Sequence, residues 1–302
     1  MKKAKPRIRI KLTDKCNRSC KFCHKEGTVN GALDIIPTLE FKKALNQIME
    51  CFGTTNVSLT GGEPTLNADL YEIINSINSE NISMTSNGVV LMSIEYWEKL
   101  KNAGLTKVML SIHDIFPQGY KELETINCPI KKAEKAIQNQ IQNIINIAKA
   151  GIPVRVNIVT YKDVETTMAV INKLREKQKE FKFDIRLLNN LNKIKESKLI
   201  IGKIIKKLGG KKINDCLREK TSNMTSVYET KDGFKFSTKV SFLYYSDIVC
   251  KGCPIKKDCL EGFYGVRMER QKDGYYIRLC LYRQDKDVVM QYKQFLKLWK
   301  KK

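Results

Sequence analysis

The feature that most constrains the fold is an alternation of strand and helix patterns, repeated six times before residue 210. Arg7 to Leu12 alternates with period two and reads as a strand. Pro37-Thr38 then opens a helix to about Cys51, with Thr38 placed to cap it. Further strands are predicted at 56–60, 82–85, 107–112, 154–159 and 184–188. Helices are predicted between and after them, at about 69–78, 94–103, 131–150, 165–180 and 197–208. Gly104 and Gly151 stand where two of these helices should stop. Strand-then-helix alternation implies parallel strands with helices outside. Six units make an α/β fold of the open, partial (β/α)6 TIM-like barrel kind rather than the complete eight. Chemistry in such barrels sits at the C-terminal strand ends. The loop after Leu12, Gly61-Gly62, Asn87-Gly88 and the segment after Ile112 all occupy such ends.

After Gly210 the pattern changes. Residues 227–230 and 234–240 read as a hairpin around Asp232-Gly233. A cysteine-rich stretch follows to Cys280, then a helix at about 285–299. The expected division is a barrel over residues 1–210 and a small cysteine-rich extension over 211–302.

Hydrophobic residues make up 42% of the 302, enough for a sizeable core. No apolar run approaches the roughly 18 to 20 residues that span a bilayer. The basic start is not followed by the apolar segment of a secretory signal, so a soluble, cytoplasmic protein without a membrane partner is expected. The net charge of +23 attracts anions such as nucleotides, nucleic acid or acidic peptides. Solvated surface lysine without a dedicated partner explains the same excess.

Seven of the ten cysteines fall in two tight groups. Without a signal peptide, that clustering points to metal or cluster ligation rather than disulfides. Cys16, Cys20 and Cys23 form C-x3-C-x2-C on the loop after the first strand. Three thiolates on one loop suit three irons of a 4Fe–4S cube and leave the fourth iron open. Zinc with His24 as a fourth ligand is the alternative, and the spacing alone leaves both open.

With Gly61-Gly62-Glu63-Pro64 after the second strand, the cysteine loop resembles the radical S-adenosylmethionine (SAM) superfamily. The resemblance is closer to the GTP 3′,8-cyclase group of molybdenum cofactor biosynthesis. Residues 10–17, 61–69, 85–88, 108–111 and 154–157 carry it. It implies a 4Fe–4S cluster on Cys16, Cys20 and Cys23, with SAM on the open iron. It implies a SAM site lined by Gly61, Gly62, Glu63, Pro64, Thr85, Ser86, Ser111, Arg155 and Asn157. Arg155 is the natural partner of the SAM carboxylate, because guanidinium pairs bidentately with carboxylate.

Cys250, Cys253, Cys259 and Cys280 resemble the auxiliary 4Fe–4S ligands of the same group, which number three and leave the cluster open to substrate. Cys259 departs from that pattern, and C-x2-C-x5-C resembles the auxiliary domains of peptide-modifying members. The chain ends in Lys300-Lys-Lys302, without the paired glycines typical of the cyclase. Structural zinc on four cysteines is the alternative. Arg267, Arg270 and Arg278 suit a substrate phosphate or carboxylate. His113, just past the fourth strand, is a candidate proton donor facing substrate, or simply a locally bonded strand-end histidine. Cys51, Cys128 and Cys216 read as core thiols, though Cys128, before Pro129, also suits a substrate-facing loop.

The function implied by the resemblance is one-electron cleavage of SAM to a 5′-deoxyadenosyl radical that takes hydrogen from substrate. The substrate is either a nucleotide or a peptide, and flavodoxin or ferredoxin is the expected electron donor. A non-catalytic iron–sulfur protein that binds nucleic acid is the reading from outside enzymology.

Overall fold

The computed structural model describes residues 2–28, 31–241 and 243–300. All six predicted strands form, as β2 (Ile8–Lys11), β3 (Val57–Thr60), β4 (Ile82–Ser86), β5 (Leu105–Ser111), β6 (Val154–Thr160) and β7 (Asp184–Asn189). They pair in parallel, each with its successor. The predicted helices follow as α1 (Leu39–Phe52), α2 (Leu70–Ser76), α3 (Ile94–Asn102), α5 (Ile130–Lys149), α6 (Val164–Gln178) and α7 (Ile194–Lys207). Thr38 caps α1 by accepting from the Phe41 amide at 3.1 Å. Gly53 ends that helix in the left-handed conformation at φ 68°. One short helix not read from the sequence, α4 (Pro117–Leu123), lies between β5 and α5.

The strands of this open, partial barrel divide their faces by period two. Ile8, Ile10, Val57, Leu59, Val108, Leu110, Val156 and Ile158 belong to the buried apolar core. The alternate residues line an internal chamber instead, among them Arg9, Ser58, Ser111, Arg155, Asn157 and Arg186.

The chain beyond residue 210 continues the same sheet. β8 (Lys211–Arg218), β9 (Asn223–Glu229) and β10 (Lys235–Ser241) form an antiparallel strip whose last strand adds in parallel to β7. On the opposite edge β11 (Val266–Gln271) adds in parallel to β2 and continues into β12 (Gly274–Arg278) and β13 (Val289–Gln291). The short β1 (Lys2–Ala4) pairs with β8, three residues ahead of β2. The β8–β10 strip therefore reaches across the side that six strands leave open. The Arg218 guanidinium donates to the Lys5 carbonyl at 2.8 Å, and the Ser222 amide to the Phe263 carbonyl at 2.7 Å. The terminal helix α8 starts at Tyr292 rather than near 285. Val289–Gln291 pairs with β12 and Asp285 closes a turn before it, so backbone bonding claims those residues first.

Candidate functional site

Residues 12–28, between β2 and α1, form the cysteine loop at the C-terminal ends of the strands. Cys16, Cys20 and Cys23 are free thiols, and all three line a chamber of about 320 Å³ inside the partial barrel. Gly61, Gly62, Thr85, Ser86, Ser111 and Asn157 line it with them. Burial holds the Cys16 thiol above its usual range and the Cys20 thiol up at about 11, so coordination has to displace protons.

Three neighbouring segments fix this loop. After β3, the Gly62 and Glu63 amides donate to the Thr13 and Lys15 carbonyls at 2.7 and 2.8 Å. A β-carbon on Gly62 would lie 2.2 Å from the Lys15 carbonyl oxygen, so the close approach requires glycine. After β4, the Asn87 side chain donates to Asn17 Oδ1 at 2.7 Å. After β5, Glu124 takes hold of Arg18 and Ser19. Phe22 packs edge-on against His113, ring centroids 4.8 Å apart.

The residues expected at the SAM site take different places. Glu63 is buried and points away from the chamber. Its carboxylate accepts from Ser86 Oγ (2.7 Å), the Asn87 amide (2.6 Å) and both the amide and hydroxyl of Thr65. Burial raises its pKa despite those bonds. Pro64 opens the short turn that follows and does not line the chamber either. Asn157 lines the chamber with a buried Oδ1 that has no partner. Arg155 stands second in β6, on the strand half away from the cysteines, and bonds Asp184 at 3.1 Å. It walls the chamber floor.

His113 Nδ1 accepts from the Val159 amide at 3.1 Å, which fixes the proton on Nε2. Burial, then the nearby Arg18 charge, pushes its pKa down to about 3, so it is neutral at physiological pH. His24 Nδ1 accepts from the Glu26 amide at 3.1 Å, which leaves no lone pair there for zinc. Arg267 is buried, donates to Glu26 at 3.1 Å and keeps an unpartnered NH1 in the chamber wall. Arg270 points to the other face of β11, donates to the Asp34 carbonyl at 2.9 Å and does not reach the chamber. Arg278 pairs with Glu269. Cys128 is buried against Tyr120, Ala133 and Ala136, away from the chamber.

Sequence reasoning missed the other chamber cations. Arg7, Arg9, Arg186, Arg218 and Lys239 all line it. Arg9 and Arg267 share the buried Glu26. Among the described residues Arg7, Arg186, Arg218 and Lys239 have no carboxylate partner. Burial, then the neighbouring guanidiniums, lowers Arg7 to about 9 and holds Arg186 well below its usual range. Burial and Arg9 lower Lys239 to about 7. The signal existed in Arg7-Ile-Arg9-Ile, whose arginines share the face opposite the isoleucines.

Cys250, Cys253, Cys259 and Cys280 line one small cavity of about 20 Å³, separate from the chamber. Cys259 Sγ accepts from the Gly262 amide at 3.3 Å. Among the described residues no three His, Cys, Asp or Glu side chains are arranged to hold a single metal ion. Among the described residues no helix is long and apolar enough to cross a membrane.

A family model described as the Radical SAM superfamily matches residues 10–174. A probable GTP 3′,8-cyclase of Sulfolobus acidocaldarius is 36% identical over 170 residues, 55% of this chain and 50% of the relative. One from Sulfurisphaera tokodaii is 30% identical over 291 residues, 93% of this chain and 82% of the relative. The chain thus spans about half the length of some of these relatives and most of others. Among solved structures, SuiB of Streptococcus suis bound to its precursor peptide SuiA superposes with a TM-score of 0.51 at 18% identity, covering 67% of this chain and 47% of that one. HydG, a maturase of the FeFe-hydrogenase, gives 0.51 at 14% identity, covering 67% and 49%. At those identities the likeness is one of fold.

Proposed function

Since the chain belongs to the radical SAM superfamily, we propose that it acts on a phosphate-bearing small molecule of the nucleotide class, held in the chamber between the cysteine loop and the arginines. It is an enzyme of the kind that uses a 4Fe–4S cluster and SAM. Bound there, cluster and SAM supply one-electron hydrogen-abstraction chemistry. The residues present fit that equipment. Three free thiols on one loop face one chamber, and the loop is fixed on three sides. In this reading Cys16, Cys20 and Cys23 hold three irons, and the fourth is left to SAM. Thr85, Ser111 and the unpartnered Asn157 face the SAM side, while Glu63 shapes the turn that holds the loop.

The observation that carries the substrate class is the set of unpaired cations. A charge taken out of water is costly unless paired. Among the described residues Arg7, Arg186, Arg218 and Lys239 wall one enclosed space without a direct ion pair to a carboxylate, although Glu261 and the Glu26 shared by Arg9 and Arg267 also line it. A di- or triphosphate presents several oxygens to several guanidiniums at once, which suits this wall. The relatives named probable GTP 3′,8-cyclase make GTP the first compound to test. Anaerobically reconstituted, reduced enzyme should form 5′-deoxyadenosine faster with GTP or another nucleoside triphosphate than without. Arg186→Gln should remove the stimulation. Stimulation by no nucleotide, at full iron content, would overturn the substrate class.

A peptide substrate is the second reading, favoured by the four cysteines that share one cavity apart from the chamber. It predicts that all four bind the auxiliary cluster, leaving no iron open to a nucleotide base.

A further inference from the structure

We propose that the Arg18–Glu124 pair sets how readily the cluster on the cysteine loop accepts its electron: the Arg18 guanidinium favours the reduced form, and Glu124 both fixes that guanidinium and opposes it. The proposal rests on superfamily membership and not on the substrate class.

Arg18 lies inside the loop, between Cys16 and Cys20, and its side chain is 2% exposed. Nε donates to Glu124 Oε1 at 2.7 Å, and the guanidinium lies over the Tyr120 ring, 4.2 Å from its centroid. The other carboxylate oxygen, Oε2, accepts from the Ser19 amide at 2.6 Å and from Ser19 Oγ at 2.9 Å. Glu124 thus grips two consecutive loop residues, one with each oxygen. The backbone repeats the grip. Lys21 donates to the Leu123 carbonyl at 2.9 Å and Thr125 to the Ser19 carbonyl at 2.7 Å, forming an antiparallel bridge at Cys20 and Glu124. The segment after α4 is therefore a clamp on the middle of the loop.

The clamp leaves Arg18 with something to give. Its NH2 group is buried without a well-aligned hydrogen bond, although it lies 2.6 Å from Glu124 Oε1. Arg18 lines the chamber together with Cys16, Cys20 and Cys23. The guanidinium is thus held in the electrostatic reach of a cluster thiolate. Reduction adds one negative charge to the cluster and its thiolates. A fixed cation beside them stabilises that state, and a carboxylate beside them opposes it. Net charge and hydrogen bonds around the sulfurs are the means by which a protein moves the potential of an iron–sulfur cluster. The electron comes from outside, from dithionite or a low-potential one-electron carrier, and no bond to Arg18 or Glu124 forms or breaks.

The test is an EPR-monitored redox titration of reconstituted wild type, Arg18→Gln, Arg18→Lys and Glu124→Gln. It follows the reduced signal that changes on adding SAM, which belongs to the cluster that binds it. At the wild-type midpoint the ratio of reduced to oxidised cluster should fall about tenfold in Arg18→Gln, a shift of about 59 mV for one electron. Arg18→Lys should stay near wild type. Glu124→Gln should move the opposite way, because the amide still accepts from Ser19 but no longer opposes the added charge. Amide exchange of the cluster-free chains around Ser19 and Lys21 reports the clamp separately. Glu124→Gln should keep that protection and Glu124→Ala should lose it. Unshifted potentials at full iron content, or shifts in the same direction for Arg18→Gln and Glu124→Gln, overturn the proposal. A merely structural role predicts the second pattern. If Arg18→Gln fails to hold iron, Arg18→Lys and Glu124→Gln still decide it.

Discussion

Lys239 gives the chamber a pH dependence that can be worked out in advance. Burial and then Arg9 lower its pKa to about 7, against an ordinary value of 10.5. Charged and titratable groups face it from several elements: Arg9 on β2, Arg186 on β7, Glu26 on the cysteine loop and Glu261 before β11. The Tyr264 ring lies 4.2 Å from its ammonium. A phosphate bound among these groups favours the charged form and returns the pKa towards its ordinary range. Binding then takes up a proton wherever the free enzyme has lost it, so affinity falls as pH rises above about 7 and is insensitive to this group below. The useful window is pH 7.5 to 8.5. Phosphate ionisation, with its second pKa near 6, is complete there. Arg7, lowered to about 9, keeps at least about three-quarters of its charge across that window and changes the slope little. Across that window a free pKa of about 7 weakens binding about eightfold, and at pH 8 binding takes up about 0.9 proton.

The assay is isothermal titration calorimetry of the reconstituted enzyme with tripolyphosphate and with GTP, repeated in buffers of different ionisation enthalpy. Lys239→Met should bind more weakly at pH 7.5 and lose most of the slope and of the proton uptake. Constant wild-type affinity across the window, or a variant that keeps the full slope, would refute the reasoning. If tripolyphosphate shows the slope and GTP does not, the phosphates of GTP lie elsewhere.

Other outcomes follow from single contacts. Replacing Cys16, Cys20 and Cys23 together by Ala should abolish 5′-deoxyadenosine formation and remove the iron that changes its EPR signal with SAM. Glu63→Ala strands the Asn87 amide and the donors of Thr65 and Ser86, a loss of roughly 3 to 5 kcal/mol measurable by chemical denaturation. Cys259→Ser should lower the iron content of the second group if four thiols bind it and leave it unchanged if three do. His113→Gln should leave the acid and base limbs of the pH–rate profile in place, because a histidine with its pKa near 3 does not titrate within them.

The partial barrel was legible because its rules are local. Alternation in residues 7–12, the cap at Thr38 and the glycine stops each lie within a few residues of the element they define. The thiols were legible for the same reason, as a spacing on one loop. What escaped depends on contacts between distant segments. β8 carries polar and charged residues on both faces in Lys211–Arg218, so no period marks it as a strand. It forms because β1 and β9 flank it. Glu124 sits in unremarkable local sequence, and Glu63, though marked by its motif, gives no local sign that it braces a turn; their bonds are to residues 105 and 23 positions away.

The same physics explains why the chamber is basic where such a barrel is usually filled. The interior of a complete eight-stranded barrel is packed with branched apolar side chains. Six parallel strands leave one side open, and here three antiparallel strands reach across it. That strip brings Arg218 and Lys239 against Arg7 and Arg186, residues that β2 and β7 alone would have presented to solvent through the gap. Enclosure turns four ordinary exposed cations into four costly ones. The extension therefore does more than carry the second cysteine group. It converts an open basic face into an enclosed basic one, and the proposed phosphate-bearing substrate would meet these cations in the space that the cysteine loop overlooks.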